Sequence, residues 1–133
     1  MRIEITLPGG KKVNAHLGQH VIATDQPADA GGEGSAPAPF EVFLASIGAC
    51  AGVYVLGFCQ ARGIPTEGIR LYQDNDWDPV THRLARIRIG IDLPPSFPEK
   101  YREAVRRAAE SCAVKKAIQA PPEMVVVASR LAS

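Results

Sequence analysis

Six short segments have the pattern of β-strands, and in some of them apolar and polar residues alternate with the period of two that is typical of a strand. The predicted strands are residues 2–7, 11–17, 20–24, 69–73, 81–93 and 124–131. The fifth is the clearest, because its isoleucines at 87, 89 and 91 point to one side while Arg86 and Arg88 point to the other. The polar run 74–79 predicts a turn between the fourth and fifth strands.

Two further segments carry the signals of helices. Pro39 suits the first turn of a helix, and the run 63–65 (Gly-Ile-Pro) suits its end, which predicts a helix of about 22 residues and about 33 Å. A second helix is predicted after Ser96, with Glu99 completing a capping box, and it continues over 115–119. Its apolar stripe consists of Phe97, Tyr101, Ala104, Val105, Ala108 and Cys112.

The order of these elements predicts the fold class. Residues 26–39, rich in Gly, Ala and Pro, form a loop long enough to be functional or mobile. Three strands, a long helix, two strands, a second helical region and a last strand, with no internal repeat and no linker, predict one α+β domain over residues 1–133.

The composition narrows the class of function. The chain has 133 residues, a net charge of +1 and 46% hydrophobic residues, so neither nucleic acid nor an acidic membrane surface is expected as a partner. No basic segment precedes an early apolar run, so we expect no signal peptide and a cytoplasmic location. Three cysteines without framework spacing argue against a secreted disulfide scaffold and leave catalytic, redox-active or buried thiols.

The predicted long helix is apolar on all sides. Residues 42–59 form an uncharged run of 18 residues, which is the threshold length for a membrane span. Gly48 and Gly52 in this run have the spacing that lets two helices approach closely. A helix buried on all sides fits equally, and we favour it because no Lys or Arg cluster flanks the segment. Since 133 residues are too few to surround such a helix, we expect a homodimer whose central helices pack together.

The two cysteines of this helix point to opposite sides. Cys50 and Cys59 are nine residues apart, and a rotation of about 100° per residue places them on opposite sides of the helix. Gly48 and Gly52 lie within about 20° of the direction of Cys59, so Cys59 is interpreted as a core thiol on the close-packed face. The side of Cys50, which is free to meet another element, also holds Phe43, Ile47 and Tyr54.

The third cysteine has two interpretations. If Cys112 opens a new helix, the helix dipole and the charges of Lys115 and Lys116 favour its thiolate; an inert buried thiol with two solvated lysines fits the same residues. If Cys112 and Cys50 met, one thiolate could attack the O–O bond of a peroxide, and the sulfenic acid could condense with the other thiol. The disulfide would then need an outside reductant.

The remaining polar residues predict no metal and no cofactor. The three histidines lack the spacing of zinc ligands, and the glycine-rich run 31–34 precedes no basic residue that would hold a phosphate. His20 is either a cationic neighbour of Cys50 or an ordinary surface residue. Glu41, at the start of the long helix, is explained by the helix dipole alone.

Two segments resemble the motifs of a known family. Residues 39–50, PFEVFLASIGAC, look like the P-x-E-x-x-L-A-A-x-G-x-C helix of the OsmC/Ohr family, and residues 112–118, CAVKKAI, look like its second motif, C-P-V-x-x-x-L. The resemblance covers nearly the whole chain, including the strand order. It implies an intertwined two-subunit α+β fold with antiparallel sheets, two main helices, and the central apolar helix buried at the dimer interface beside the active sites.

The resemblance also implies a reaction. In the peroxidase branches, the residue that matches Cys50 attacks an organic hydroperoxide and the one that matches Cys112 resolves it; dithiols, including lipoylated proteins, then reduce the disulfide. Three departures favour an OsmC-like branch of less defined substrates. In the peroxidase branches the carboxylate of the first motif lies one residue earlier than Glu41 does here. Those branches also use an arginine from the N-terminal region to stabilise the thiolate, and this chain has none between residues 11 and 40. Ala113 replaces the proline of the second motif.

These observations leave three hypotheses. The first is a thiol-dependent hydroperoxide reductase with Cys50 and Cys112 as catalytic residues and with Glu41 and His20 as polar neighbours. The second is a non-catalytic module that binds an apolar small molecule at the dimer interface, in a pocket lined by Phe40, Phe43 and Tyr54. The third is a membrane protein or helix-partner protein built on residues 42–59.

Overall fold

A computed structural model describes residues 1–131, which fall into two compact units. The first unit, residues 1–46, contains a three-stranded antiparallel sheet in the order β1-β2-β3. Its strands are β1 (Glu4–Gly9), β2 (Lys12–Leu17) and β3 (His20–Thr24). These three strands confirm the prediction from the alternating pattern.

The loop after β3 is held by one buried carboxylate. Asp25 accepts hydrogen bonds from the Ser35 hydroxyl (2.6 Å), and from the backbone N–H groups of Gln26 (2.7 Å), Ser35 (3.1 Å) and Glu33 (3.4 Å). These bonds stabilise the ionised form and lower the pKa of Asp25 from 3.8 to about 2. At Gly32 any side chain would collide with the backbone carbonyl of Gln26, so the loop requires glycine there.

The long predicted helix is present as α1 (Pro39–Ala61), which begins in the first unit and continues into the second. It ends in a Schellman motif, in which the N–H of Ile64 bonds to the carbonyl of Cys59 (2.9 Å) and the N–H of Gly63 to that of Gln60 (3.3 Å). Gly63 has φ +63°, a left-handed conformation that favours glycine. The predicted Gly-Ile-Pro stop signal is therefore confirmed.

The second unit, from residue 47 onward, contains an antiparallel pair, β4 (Arg70–Trp77) and β5 (Leu84–Asp92). The turn predicted over 74–79 was wrong in its position, because Asp74 and Asp76 face Arg88 and Arg86 across the two strands and keep β4 extended. The turn follows instead at Asp78, whose carboxylate accepts the N–H groups of Val80 and Thr81.

Two helices follow β5, namely α2 (Arg102–Glu110), after a 3-10 turn at Glu99–Tyr101, and α3 (Ala113–Gln119). The capping box was wrong, because the turn is preceded at its N-cap by Pro98, with no side-chain cap. The predicted apolar stripe was right. Phe97 and Val105 belong to a core that also holds Val55, Phe58 and Cys59, and Tyr101, Ala104 and Ala108 pack against it.

One face of α1 is buried within the second unit, and the opposite face is not. Ala51, Val55 and Cys59 are buried, whereas Val53 is 64% exposed. A single chain therefore leaves one face of the helix uncovered, as expected for a chain of this length, and burial of that face against a second copy stays a prediction. The helix is long and apolar enough to cross a membrane, but the core helix of a soluble protein meets the same criteria of length and composition.

The strand predicted at 124–131 was wrong for the single chain. These residues have no regular secondary structure, and Met124 and Val126 are 87% and 96% exposed. A strand needs a neighbour with which to exchange backbone hydrogen bonds, and none of the strand pairs among residues 1–131 includes this segment. The segment has the β-branched, apolar composition of a strand but no partner strand.

Candidate functional site

The structure brings Cys50 and Cys112 together in the second unit. Cys50 lies in the middle of α1, and Cys112 is the N-cap residue of α3. The backbone N–H groups of Val114 and Ala113 and the thiol of Cys112 lie close enough to the Cys50 sulfur to lower the pKa of Cys50. All three cysteines are free thiols, so the pair is in its reduced form.

The Cys112 sulfur caps the first turn of α3. A helix leaves its first N–H groups without partners inside the helix. Here the N–H of Lys115 bonds to the Cys112 sulfur at 3.3 Å. The next N–H, of Lys116, reaches the Cys112 carbonyl at 3.2 Å. Cys112 therefore opens a new helix, as one of the two interpretations of the sequence required.

The hydrogen bonds to Cys50 shift its ionisation. The N–H of Val114 makes the largest contribution, and with the thiol of Cys112 and the N–H of Ala113 it lowers the pKa of Cys50 against the opposing effect of partial burial. Burial raises the pKa of Cys59, which Arg62 only partly offsets. The two thiols of α1 thus have opposite environments: one is polarised toward the thiolate and one is kept neutral.

Access differs between the paired thiols. Cys50 is partly exposed, whereas Cys112 is 1% exposed. A partly exposed thiol with a lowered pKa is suited to attack a small electrophile, and a buried neighbour in hydrogen-bonding contact is suited to react with the product.

An apolar groove of about 1050 Å³ lies beside Cys112 in the same unit. Ile87, Ile89 and Ile91 of β5 line it together with Ile47 of α1, and charged residues of α2 line it as well. The sequence predicted an apolar pocket with other residues. Tyr54 is not among the residues of this groove, and Phe40 and Phe43 lie in the first unit, where their rings pack at 5.5 Å. A pocket lined by those three stays a prediction.

The two predicted polar neighbours of Cys50 also lie in the first unit. Glu41 accepts the backbone N–H of Ala38 at 2.9 Å and so caps the start of α1. His20 is exposed at the first position of β3, opposite Leu17. Their roles near the thiol stay predictions. Among residues 1–131, no group of three or more His, Cys, Asp or Glu side chains is arranged to hold a metal ion.

Sequence reasoning missed the two backbone N–H groups that lower the pKa of Cys50. The only signal for them was the break before α3, which turns the first N–H groups of that helix toward α1. At residue 113 the residue type is a second signal, because the alanine here has an N–H and the proline of the family motif has none.

A comparison with family models matches residues 32–127 to the OsmC-like protein family. This chain belongs to that family. The matched region contains both cysteines of the site, which are Cys50 and Cys112. A comparison with curated proteins found no match.

Solved structures of OsmC and Ohr proteins share the fold of this OsmC-like protein. One, from Psychrobacter arcticus 273-4, is described as an osmotic stress induced and detoxification response protein; it has a TM-score of 0.73 and 21% identity, over 86% of this chain and 85% of its own. An organic hydroperoxide resistance protein OsmC from Legionella pneumophila has a TM-score of 0.56 and 21% identity, over 90% of each chain. The α+β class with antiparallel sheets is thereby confirmed.

A third structure holds a ligand. It is an organic hydroperoxide resistance protein from Vibrio cholerae with captopril bound in one of its active sites, and it has a TM-score of 0.56 and 17% identity, over 91% of this chain and 86% of its own. At these identities, the likeness of this OsmC-like protein to the three structures is one of fold.

Proposed function

We propose that this protein is a thiol-dependent peroxidase that reduces organic hydroperoxides through Cys50 and Cys112. The Cys50 thiolate attacks the distal oxygen of the hydroperoxide, the O–O bond breaks, and the alkoxide leaves and takes a proton to become the alcohol. The resulting sulfenic acid condenses with the Cys112 thiol, which forms the disulfide and releases water.

The contact between the two sulfurs carries this proposal. The N–H groups of Val114 and Ala113 and the Cys112 thiol lower the pKa of Cys50, so the attacking sulfur is activated by the same turn that holds its partner. Membership of a family that includes hydroperoxide resistance proteins supports the choice of substrate.

The disulfide requires a reductant with two thiols. A small dithiol or a lipoylated protein supplies the two electrons and becomes a cyclic disulfide, which returns both cysteines to thiols. Such a cycle suits a cytoplasmic location, where thiols are kept reduced.

We also propose that the active form is a homodimer. The exposed face of α1 is apolar, with Val53 64% and Leu56 42% exposed, and the segment that ends at Leu131 is an apolar strand pattern without a partner. A second copy would bury both surfaces, and for small intertwined domains such burial is a source of stability.

The test is to count thiols after treatment with cumene hydroperoxide. The wild type is expected to lose two thiols per chain and to form a Cys50–Cys112 bridge. Cys112→Ser should stop at a sulfenic acid that dimedone traps on Cys50, and Cys50→Ser should keep its thiols. Cys59→Ala serves as the matched control and should still form the bridge. Three intact thiols in the wild type under excess peroxide would sink the proposal.

The isoleucine-lined groove supports a second candidate, a module that binds an apolar small molecule without reacting with it. The same experiment separates the two, because a binding module keeps its thiols under peroxide. It would also bind an apolar fluorescent probe equally well before and after alkylation of Cys50.

A further inference from the structure

We propose that the isoleucine-lined groove is the entry site of the reductant, an apolar thiol that attacks the Cys112 sulfur of the Cys50–Cys112 disulfide. The proposal rests on the peroxidase function in that it starts from the disulfide which that function forms. It adds which of the two sulfurs is attacked and which chemical class of thiol is preferred. The presence of a cysteine pair alone decides neither of these.

Cys112 belongs to the wall of the groove. It lines the groove together with the isoleucines of β5, whereas Cys50 is not among the described residues that do so. The backbone N–H of Lys115 bonds to the Cys112 sulfur at 3.3 Å and so holds that sulfur in place. Because Cys112 is only 1% exposed, little of it is open to bulk water. A thiol that approaches along the groove is favoured by an apolar chain, since the isoleucine side chains take such a chain out of water.

The charge of Lys115 complements the incoming nucleophile. In thiol–disulfide exchange the attacking species is a thiolate, which is an anion. The two arginines that line the groove are already paired with glutamates, which are Glu99 for Arg102 and both Glu103 and Glu110 for Arg106. The carboxylate of Asp92 lies opposite Arg70 in the strand pair. Lys115 also lines the groove, and it forms no ion pair with any residue in the range 1–131, so its charge is available to a thiolate at Cys112.

Attack at Cys112 also expels the better leaving group. The thiolate of the reductant bonds to the Cys112 sulfur, the S–S bond breaks, and Cys50 leaves as a thiolate that later takes a proton. A thiol of lower pKa leaves faster, and the pKa of Cys50 is lowered. A second thiol on the same reductant molecule then attacks the sulfur of the first, which releases Cys112 and closes the reductant into a cyclic disulfide. The two electrons come from the reductant.

Exposure alone predicts the opposite direction of attack. Cys50 is partly exposed, so a small polar thiol reaches it directly from solvent. The groove therefore predicts that the attacked sulfur changes with the thiol. As the apolar chain becomes longer, a larger share of the mixed disulfide should form on Cys112.

The experiment uses the whole chain after oxidation with diamide, which forms the disulfide without peroxide by taking up two hydrogen atoms. The oxidised protein is mixed with mercaptopropanol, mercaptohexanol or mercaptooctanol and quenched with acid before a second thiol reacts. Peptide mass spectrometry then locates the mixed disulfide. Each rate is divided by the rate of the same thiol with oxidised glutathione, which corrects for the reactivity of the thiol itself.

The corrected rate is expected to rise at least about tenfold from mercaptopropanol to mercaptooctanol. Each additional methylene group that is buried in the groove should contribute a factor of about two to four. Over the same series, the mixed disulfide should move from both cysteines to Cys112.

Two substitutions separate the apolar chain from the charge. Ile91 packs against the buried core, so the groove is changed at Ile89 instead. Ile89→Ser should reduce the gain with chain length about threefold, and Ile5→Ser, the same change at an exposed residue of β1, should keep it. Lys115→Gln should slow every thiol about two- to fivefold at low salt and much less at high salt. Lys116→Gln is the control for the charge, because Lys116 is not among the described residues that line the groove.

Mercaptooctanol attached to Cys50, or corrected rates that do not rise with chain length, would overturn the proposal. A loss in Ile5→Ser as large as that in Ile89→Ser would do the same. Equal effects of Lys115→Gln and Lys116→Gln would contradict the part assigned to Lys115. If Ile89→Ser does not fold, the wild-type series decides, because it needs no variant.

The two proposals fail separately. If diamide forms the Cys50–Cys112 disulfide and cumene hydroperoxide does not, the peroxidase function is contradicted, while the direction of attack is still measured. If both oxidants form it and mercaptooctanol attaches to Cys50, only the role of the groove is contradicted. If diamide forms no such disulfide, both proposals are wrong.

Discussion

Cys59 is a structural thiol, and its replacement should change stability without changing the chemistry. It is 0% exposed and packs among Val55, Phe58 and Val105. Cys59→Ala removes a sulfur about the size of a methylene group and leaves a small void, which costs about 1–1.5 kcal/mol. Cys59→Ser adds a buried hydroxyl, for a cost of about 2 kcal/mol after partial relief by a hydrogen bond to the carbonyl of Val55, one turn earlier.

Urea unfolding measures both values. The single tryptophan, Trp77, lies in β4 of the same unit as Cys59, so its fluorescence reports on the unit that the substitution affects. Both variants should unfold at lower urea than the wild type, with serine below alanine and with unchanged slopes. A serine variant as stable as the wild type would refute the core role. An alanine variant that folds but no longer forms the Cys50–Cys112 bridge would refute the separation of structure from chemistry.

Three further predictions concern the first unit and the exposed helix face. Asp25→Asn should lower the melting temperature near neutral pH. The pKa of Asp25 is about 2 in the folded protein and 3.8 ordinarily, so its stabilising effect is complete above pH 3.8 and is lost as the pH falls through about 2. Between these pH values, the melting temperature of the variant should therefore depend less on pH than that of the wild type. Gly32→Ala should expose the loop to limited proteolysis, since its side chain would meet the Gln26 carbonyl, whereas Ala30→Gly should leave cleavage unchanged. Val53→Glu should give a monomer by light scattering where the wild type gives a dimer; a monomeric wild type would contradict the dimer itself.

Local patterns were sufficient to predict most of the fold. The strands of the first unit, the α1 helix and its stop at Gly63 follow from alternation and from signals that act within a few residues. The same holds for the inward isoleucines of β5. Each of these features depends on the properties of neighbouring residues, which the sequence contains directly.

Two of the errors share a physical cause, which is dependence on a partner strand. The run that contains Asp74 and Asp76 has the composition of a turn, but in the structure these residues pair with Arg88 and Arg86 of β5 and are part of a strand. Residues 124–131 have the pattern of a strand, but a strand exists only through hydrogen bonds to a neighbour. The composition and the apolar pattern of a segment show which secondary structure it is suited to form. Whether a β-strand forms depends on whether a partner strand is present.

The candidate site divides in the same way. Cys50 and Cys112 stand out in the sequence because cysteine is a distinctive residue, and the contact between them follows from two helices that each turn one thiol inward. The N–H groups at 113 and 114 carry no such signature, since every residue except proline has one. Which sulfur an N–H meets depends on where the helix begins, and moving the start of α3 by one residue would rotate these donors by about 100°. The lowered pKa of Cys50 therefore depends on the helix boundary, and a substitution that shifts this boundary should affect the thiol as strongly as one that removes a neighbouring side chain.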